Sequence, residues 1–221
     1  MILRVIWSIS IAGLLMAGEE EDKRLDTAAV MFEEVMGIAE KAIPQDLLDR
    51  AECAVLVPGL KKGAFIFGAK YGRGFVLCRK QGGGWSAPGA VRVEGGSFGL
   101  QIGGSETDVI MLVMNERGVS RLLSSKFTLG ADASAAAGPV GRTASAETDA
   151  TMRAEILTWS RSRGVFAGIS LQGATLRPDQ DAIKGLYGKS LQNKDIVMGN
   201  IASPKAAGKL VSLLNKYSTR K

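Results

Sequence analysis

In 221 residues the chain contains no histidine. Imidazole is the usual general base, the partner of nucleophilic serine and cysteine, and the commonest metal ligand. Its absence removes most hydrolase and zinc mechanisms. Cysteine is scarce as well: only Cys53 and Cys78 occur, each inside an apolar, strand-like run. The pair is compatible with one disulfide or with two buried thiols; as a disulfide it would contribute roughly 3.5 kcal/mol in the chain-entropy model. No acidic residue occurs between Cys53 and Val93, and no apolar run reaches the roughly 20 residues that a membrane-spanning helix requires.

What is present is a chain with 46% apolar and 23% charged residues, enough for one well-buried core. The 28 glycines punctuate short apolar runs, which favours many turns and hence many strands. The net charge of +6 is unevenly spread. Eleven of the 22 acidic residues lie between Glu19 and Glu52, whereas Cys53 to Val93 carries seven basic residues: Lys61, Lys62, Lys70, Arg73, Arg79, Lys80 and Arg92.

The first 18 residues have the layout of a secretory signal peptide: Arg4, an apolar run from Val5 to Met16, then Ala17-Gly18 before an acidic stretch. A retained N-terminal anchor is the alternative. A periplasmic or secreted chain spanning 19–221 is expected, with a core at 27–190 and a helical tail at 191–221. From Asp26 to Ala42 the apolar residues Ala28, Met31, Phe32, Val35 and Ile38 recur at helical spacing, with Glu33, Glu34 and Glu40 opposite. Asp26 is the expected N-cap and Pro44 ends the pattern.

After Arg50 brief apolar runs predict strands near 54–57, 64–69, 75–79, 90–93, 98–102, 109–114, 126–129, 155–159 and 165–171, with Pro58-Gly59 read as a turn. Helices are predicted at 116–124, at 178–187 and around Leu210 to Leu214. The fold expected is α+β: a curved, mainly antiparallel sheet, open to closing into a barrel, packed by the N-terminal amphipathic helix and C-terminal helices.

Three motif fragments carry no chemistry. Gly95-Gly96-Ser97-Phe98-Gly99 matches a nucleophile elbow, yet no histidine completes a triad. Gly188-Lys189-Ser190 resembles the end of a phosphate-binding loop, but Ile183 stands where the first glycine is needed. Asp179 and Asp181 read as helix N-terminal charges rather than metal ligands. No catalytic residue, metal or cofactor is expected, and the chain is read as a non-enzyme.

An ordered set of segments resembles the SYLF family of lipid-binding domains: Lys62-Gly63-Ala64-Phe65, Tyr71-Gly72-Arg73-Gly74, Trp85-Ser86-Ala87-Pro88, Gly96 through Gly103, Ala137 through Arg142, and Ser160 through Leu171. The resemblance implies a module that docks on anionic phospholipid headgroups or a membrane surface. The basic residues expected to meet that surface are Lys61, Lys62, Lys70, Arg73, Arg79 and Lys80. They are expected at one end or face of the sheet; alternatively, a turn at 70–74 would join the Lys61 and Arg79 ends and leave Lys70 and Arg73 opposite. The alternative function is an envelope protein that binds a protein partner, of a kind left open, and no lipid. Nucleic acid is excluded as a partner by the few aromatics in the basic run. Actin, a ligand of some family members, is argued against because the eukaryotic relatives are cytoplasmic and carry SH3 or FYVE modules.

Overall fold

The computed structural model describes residues 2–38, 42–64, 67–98, 103–141, 153–162 and 165–218. Helix α1 spans Ile2–Gly37 and α2 Gln45–Arg50; β1 (Cys53–Ala64), β2 (Phe67–Cys78), β3 (Gly89–Phe98) and β4 (Gly103–Val113) follow. Next come α3 (Glu116–Leu122), the short strands β5 (Phe127–Thr128) and β6 (Ala135–Ala137), then β7 (Ile156–Ser162), β8 (Val165–Gly168) and β9 (Thr175–Pro178). The chain closes with α4 (Gln180–Tyr187), α5 (Asn193–Met198) and α6 (Gly208–Tyr217).

The strands form one sheet in the order β5-β9-β3-β2-β1-β4-β7-β6, with β8 on β7. Every pairing is antiparallel except β6 with β7. The chain itself forces the sheet to curl. Thr128 ends the strand at one extreme and Ala135 begins the strand at the other. Seven residues reach at most about 24 Å, whereas a flat sheet would hold these edges about 34 Å apart. The expected α+β architecture with a curved, mainly antiparallel sheet is therefore the observed one.

Helix α1 packs on the sheet face that carries Arg73 and Arg161, which meet its Glu20, Glu21 and Glu34. Its buried residues Ala28, Met31, Phe32 and Val35 match the apolar spacing, and Glu33 and Glu34 are exposed. The helix does not start at Asp26, however. It runs through that residue, supported by the Glu20–Arg24 pair one turn apart and by the Thr27 hydroxyl donating to the Lys23 carbonyl. The opposite sheet face gathers Val55, Val57, Leu60, Val76, Val93 and Val109, all buried.

The turn expected at Pro58-Gly59 is a bulge inside one long strand. Gly59 adopts φ +64° and donates its N–H to the Asp108 carboxylate at 2.9 Å, so the strand bends without ending. Gly74, expected beside a turn, lies instead inside β2. A Cβ there would sit 2.2 Å from the Leu56 carbonyl oxygen, so close approach of two backbones demands glycine.

Candidate functional site

Because β1 runs on to Ala64, its partner register differs from both sequence expectations. Cys53 lies opposite Cys78 at one end of the β1–β2 pair, and Lys62 lies opposite Lys70 near the other. The basic run is therefore pulled apart along strands of 12 residues, about 40 Å long. A single cluster of six does not form, and neither does the Lys61–Arg79 end proposed as the alternative.

At the cysteine end the two thiols are joined as a disulfide, with Cα atoms 4.0 Å apart. Arg79 is spent on structure there. Its guanidinium donates to the carbonyls of Leu48 at 3.0 Å, Ala51 at 3.3 Å and Ser218 at 2.8 Å, and stacks 4.5 Å over the Trp85 ring. It fastens α2 and the end of α6 to the sheet. Lys80 is exposed in the adjoining turn, where its backbone N–H donates to Gly84.

Arg73, midway along β2, is neutralised. Its Nε meets Asp179, the N-cap of α4, at 2.5 Å, and its other nitrogens meet Glu21 at 3.0 Å and Glu20 at 3.3 Å. Burial pulls the guanidinium pKa down, but the Asp179 hydrogen bond and the three carboxylate charges outweigh it and leave the pKa raised. These partners lie 53 and 106 residues away in sequence. No local signal in the sequence announces them.

What remains free is the lysine end. Strands β3-β2-β1-β4 all continue there beyond the core, and the two faces of this extension differ. On the α1 side Lys61 stands opposite Tyr71 and Glu106, in a cleft of about 420 Å³ that also holds Glu20, Arg73 and Asp108. Charges of both signs mix on that face. Burial, opposed by the Gly59 N–H and reinforced by the Glu106 charge, raises the Asp108 carboxyl pKa.

On the other face Lys62 and Lys70 are direct cross-strand neighbours, one step beyond buried Leu60 and Val93. The next residues outward from them are uncharged Ser105 on β4 and Gly95 on β3. Among the described residues neither lysine has an acidic partner within ion-pair distance. Burial first, and then the charge of Lys70, lowers the pKa of Lys62. Two like charges set side by side at the edge of an apolar face repel one another and lack a counterion. An incoming anion with oxygens to share relieves both costs. Of the six basic residues expected to act together, the structure leaves Lys62 and Lys70 as the pair on one face, with Lys61 behind them.

A family model described as Ysc84, Las17-binding protein actin regulator, matches residues 94–217, more than half of the chain. The chain is 36% identical over 180 residues to the SH3 domain-containing protein PJ696.02 of Schizosaccharomyces pombe, covering 80% of this chain and 42% of that one. It is 33% identical over 179 residues to LAS seventeen-binding protein 3 of Saccharomyces cerevisiae, covering 80% and 39%. With SH3 domain-containing YSC84-like protein 1 of Mus musculus it shares 31% over 182 residues, covering 82% and 53%. The chain thus spans between about two fifths and one half of the length of these relatives. The family description and the yeast relative's name correct one expectation: they point toward Las17 and actin regulation, against the argument that had set actin aside.

Proposed function

The chain belongs to the Ysc84 family of SYLF domains, and from that premise we propose that it is a non-enzymatic binding module that docks on anionic phospholipid through its lysine end. The observation that carries this reading is the Lys62–Lys70 pair: two cations without an acidic partner among the described residues, on one face, next to the buried apolar residues Leu60 and Val93. The sequence around them supports it. From Gly63 to Ala69 and from Gly95 to Ser105 there is no charged residue, while Phe65, Ile66, Phe67, Phe98, Leu100 and Ile102 are apolar. Cations flanked by apolar residues suit a headgroup boundary, where phosphates meet acyl chains.

Each lysine near an anionic surface contributes about 1 kcal/mol, so Lys61, Lys62 and Lys70 together supply about 3 kcal/mol, a weak and salt-sensitive attraction. Co-sedimentation with phosphatidylglycerol vesicles tests it. Binding that vanishes in Lys62→Glu/Lys70→Glu and is absent on phosphatidylcholine supports the reading. Equal binding to both lipids, or by the double variant, overturns it.

A second reading takes the ligand to be a protein of the actin-regulatory machinery, and the family description together with the name of the yeast relative favours it. Co-sedimentation with actin filaments and capture on immobilised Las17 distinguish the two. Binding to either, with no vesicle binding at any salt concentration, selects the protein partner.

A further inference from the structure

At the cysteine end, on the far side of the core from the lysines, α3 and the start of β7 border a cleft of about 670 Å³ whose lining among the described residues is polar and charged. Asn115 caps α3 by accepting from the Gly118 N–H, which fixes the direction in which the helix leaves β4. Arg117 and Arg121 are one turn apart on α3 and therefore share a side. Both approach Glu155, which precedes β7 and is more than nine-tenths buried. Arg153 lines the cleft as well.

The arginines are held near this carboxylate without being saturated by it. One Glu155 oxygen already accepts the Ser134 N–H at 3.0 Å and has Arg121 only at 3.4 Å. The other has no hydrogen-bond partner among the described residues, and Arg117 stands 3.9 Å away. A charge-assisted N–H···O bond is normally about 2.7–2.9 Å, so both contacts are loose. The Arg153 guanidinium has no ion-pair partner among the described residues. Even with Glu116 counted, three guanidiniums outnumber two carboxylates among the described residues of the cleft.

The geometry points to a second anion site, in which Arg117, Arg121 and Arg153 hold a phosphate monoester and Glu155 is a positioning residue that orients the α3 arginines. A phosphate monoester carries nearly two negative charges and presents three oxygens in different directions. It can therefore take one guanidinium fork on each side, which a single carboxylate with two coplanar oxygens cannot do. The site does not rest on the membrane reading, and the lysine pair is about 30 Å away along β1. A molecule with both sites engaged would link two anionic partners at opposite ends.

The full chain titrated with glycerol 3-phosphate in a low-salt calorimeter tests this. Millimolar binding is expected, with about a threefold to tenfold loss in Arg153→Ala, whose side chain is exposed and whose melting temperature should stay unchanged. Arg121→Lys keeps the charge but removes the fork, and should also weaken binding. Lys62→Glu/Lys70→Glu should leave it intact, which separates this site from the membrane reading. Binding only to phosphatidic acid vesicles, lost in Arg153→Ala, would assign the phosphate to a lipid headgroup and still support the site. No binding to either probe, equal binding by Arg153→Ala, or preference for a glutamate-rich peptide over both would overturn it.

Discussion

Lys62 and Lys70 face each other across β1 and β2 on the sheet side away from α1, and burial together with the Lys70 charge lowers the pKa of Lys62. The folded protein thus holds the Lys62 proton less tightly than the unfolded chain does. The sign follows: the cost is fully present at neutral pH, and it is relieved as pH rises through the lowered pKa toward the ordinary value of 10.5.

Lys62→Met is therefore expected to stabilise the protein at pH 7, by about 0.5 kcal/mol or about 1–2 °C in melting temperature. The gain should shrink at pH 10, and binding to anionic vesicles should weaken at pH 7. Melts at the two pH values check the origin of the effect. An equal gain at both would mean that packing, not charge, is responsible.

Arg73 makes the opposite case. The side chains of Asp179 and Glu21 that it neutralises are 4% and 3% exposed. Arg73→Ala leaves buried Asp179 without its cation and Glu21 with Arg24 alone, and a loss of about 2 kcal/mol in chemical denaturation is expected. Vesicle binding by the folded fraction should not change. Were Arg73 a headgroup contact, the pattern would be reversed.

Arg79 also tests the division of the basic run. Arg79→Gln removes the cation that satisfies the carbonyls of Leu48, Ala51 and Ser218, and should cost about 2–3 kcal/mol. Hydrogen exchange should rise first in α2 and at the end of α6. Lipid affinity is expected to stay at the wild-type level.

Gly74 and Gly82 form a matched pair. An added Cβ at Gly74 would strike the Leu56 carbonyl at 2.2 Å, whereas at Gly82 it meets nothing within 4 Å. Gly74→Ala should therefore cost about 3 kcal/mol and Gly82→Ala within about 0.5 kcal/mol of nothing. Urea titrations of the two variants would show whether close strand approach accounts for the glycine content of β2.

Much of the secondary structure was legible because its causes are local. The spacing of Ala28, Met31, Phe32 and Val35 specifies one helical face whatever that face packs against, and those residues are the buried ones. Gly188 reads as a helix end, and it occupies the left-handed C-cap of α4 with φ +68°. The ordered motifs from Lys62 to Leu171 carried the family, which the match over residues 94–217 shows.

By itself, then, the sequence determined the kinds of element, the absence of imidazole chemistry and the family. Tertiary structure decided which charges remain available. Pro58-Gly59 could be a turn or a bulge on local grounds; the Asp108 carboxylate, on β4, accepts the Gly59 N–H at a bulge and lets β1 continue. That one choice sets the register, and the register places Lys62 beside Lys70 and Arg79 at the other end. Arg73 could have been a ligand contact until Asp179 and the α1 carboxylates closed on it from distant parts of the chain. Strand pairing and ion pairing are settled by contacts remote in sequence, so a run of basic residues becomes a binding surface only where no folded partner reaches it.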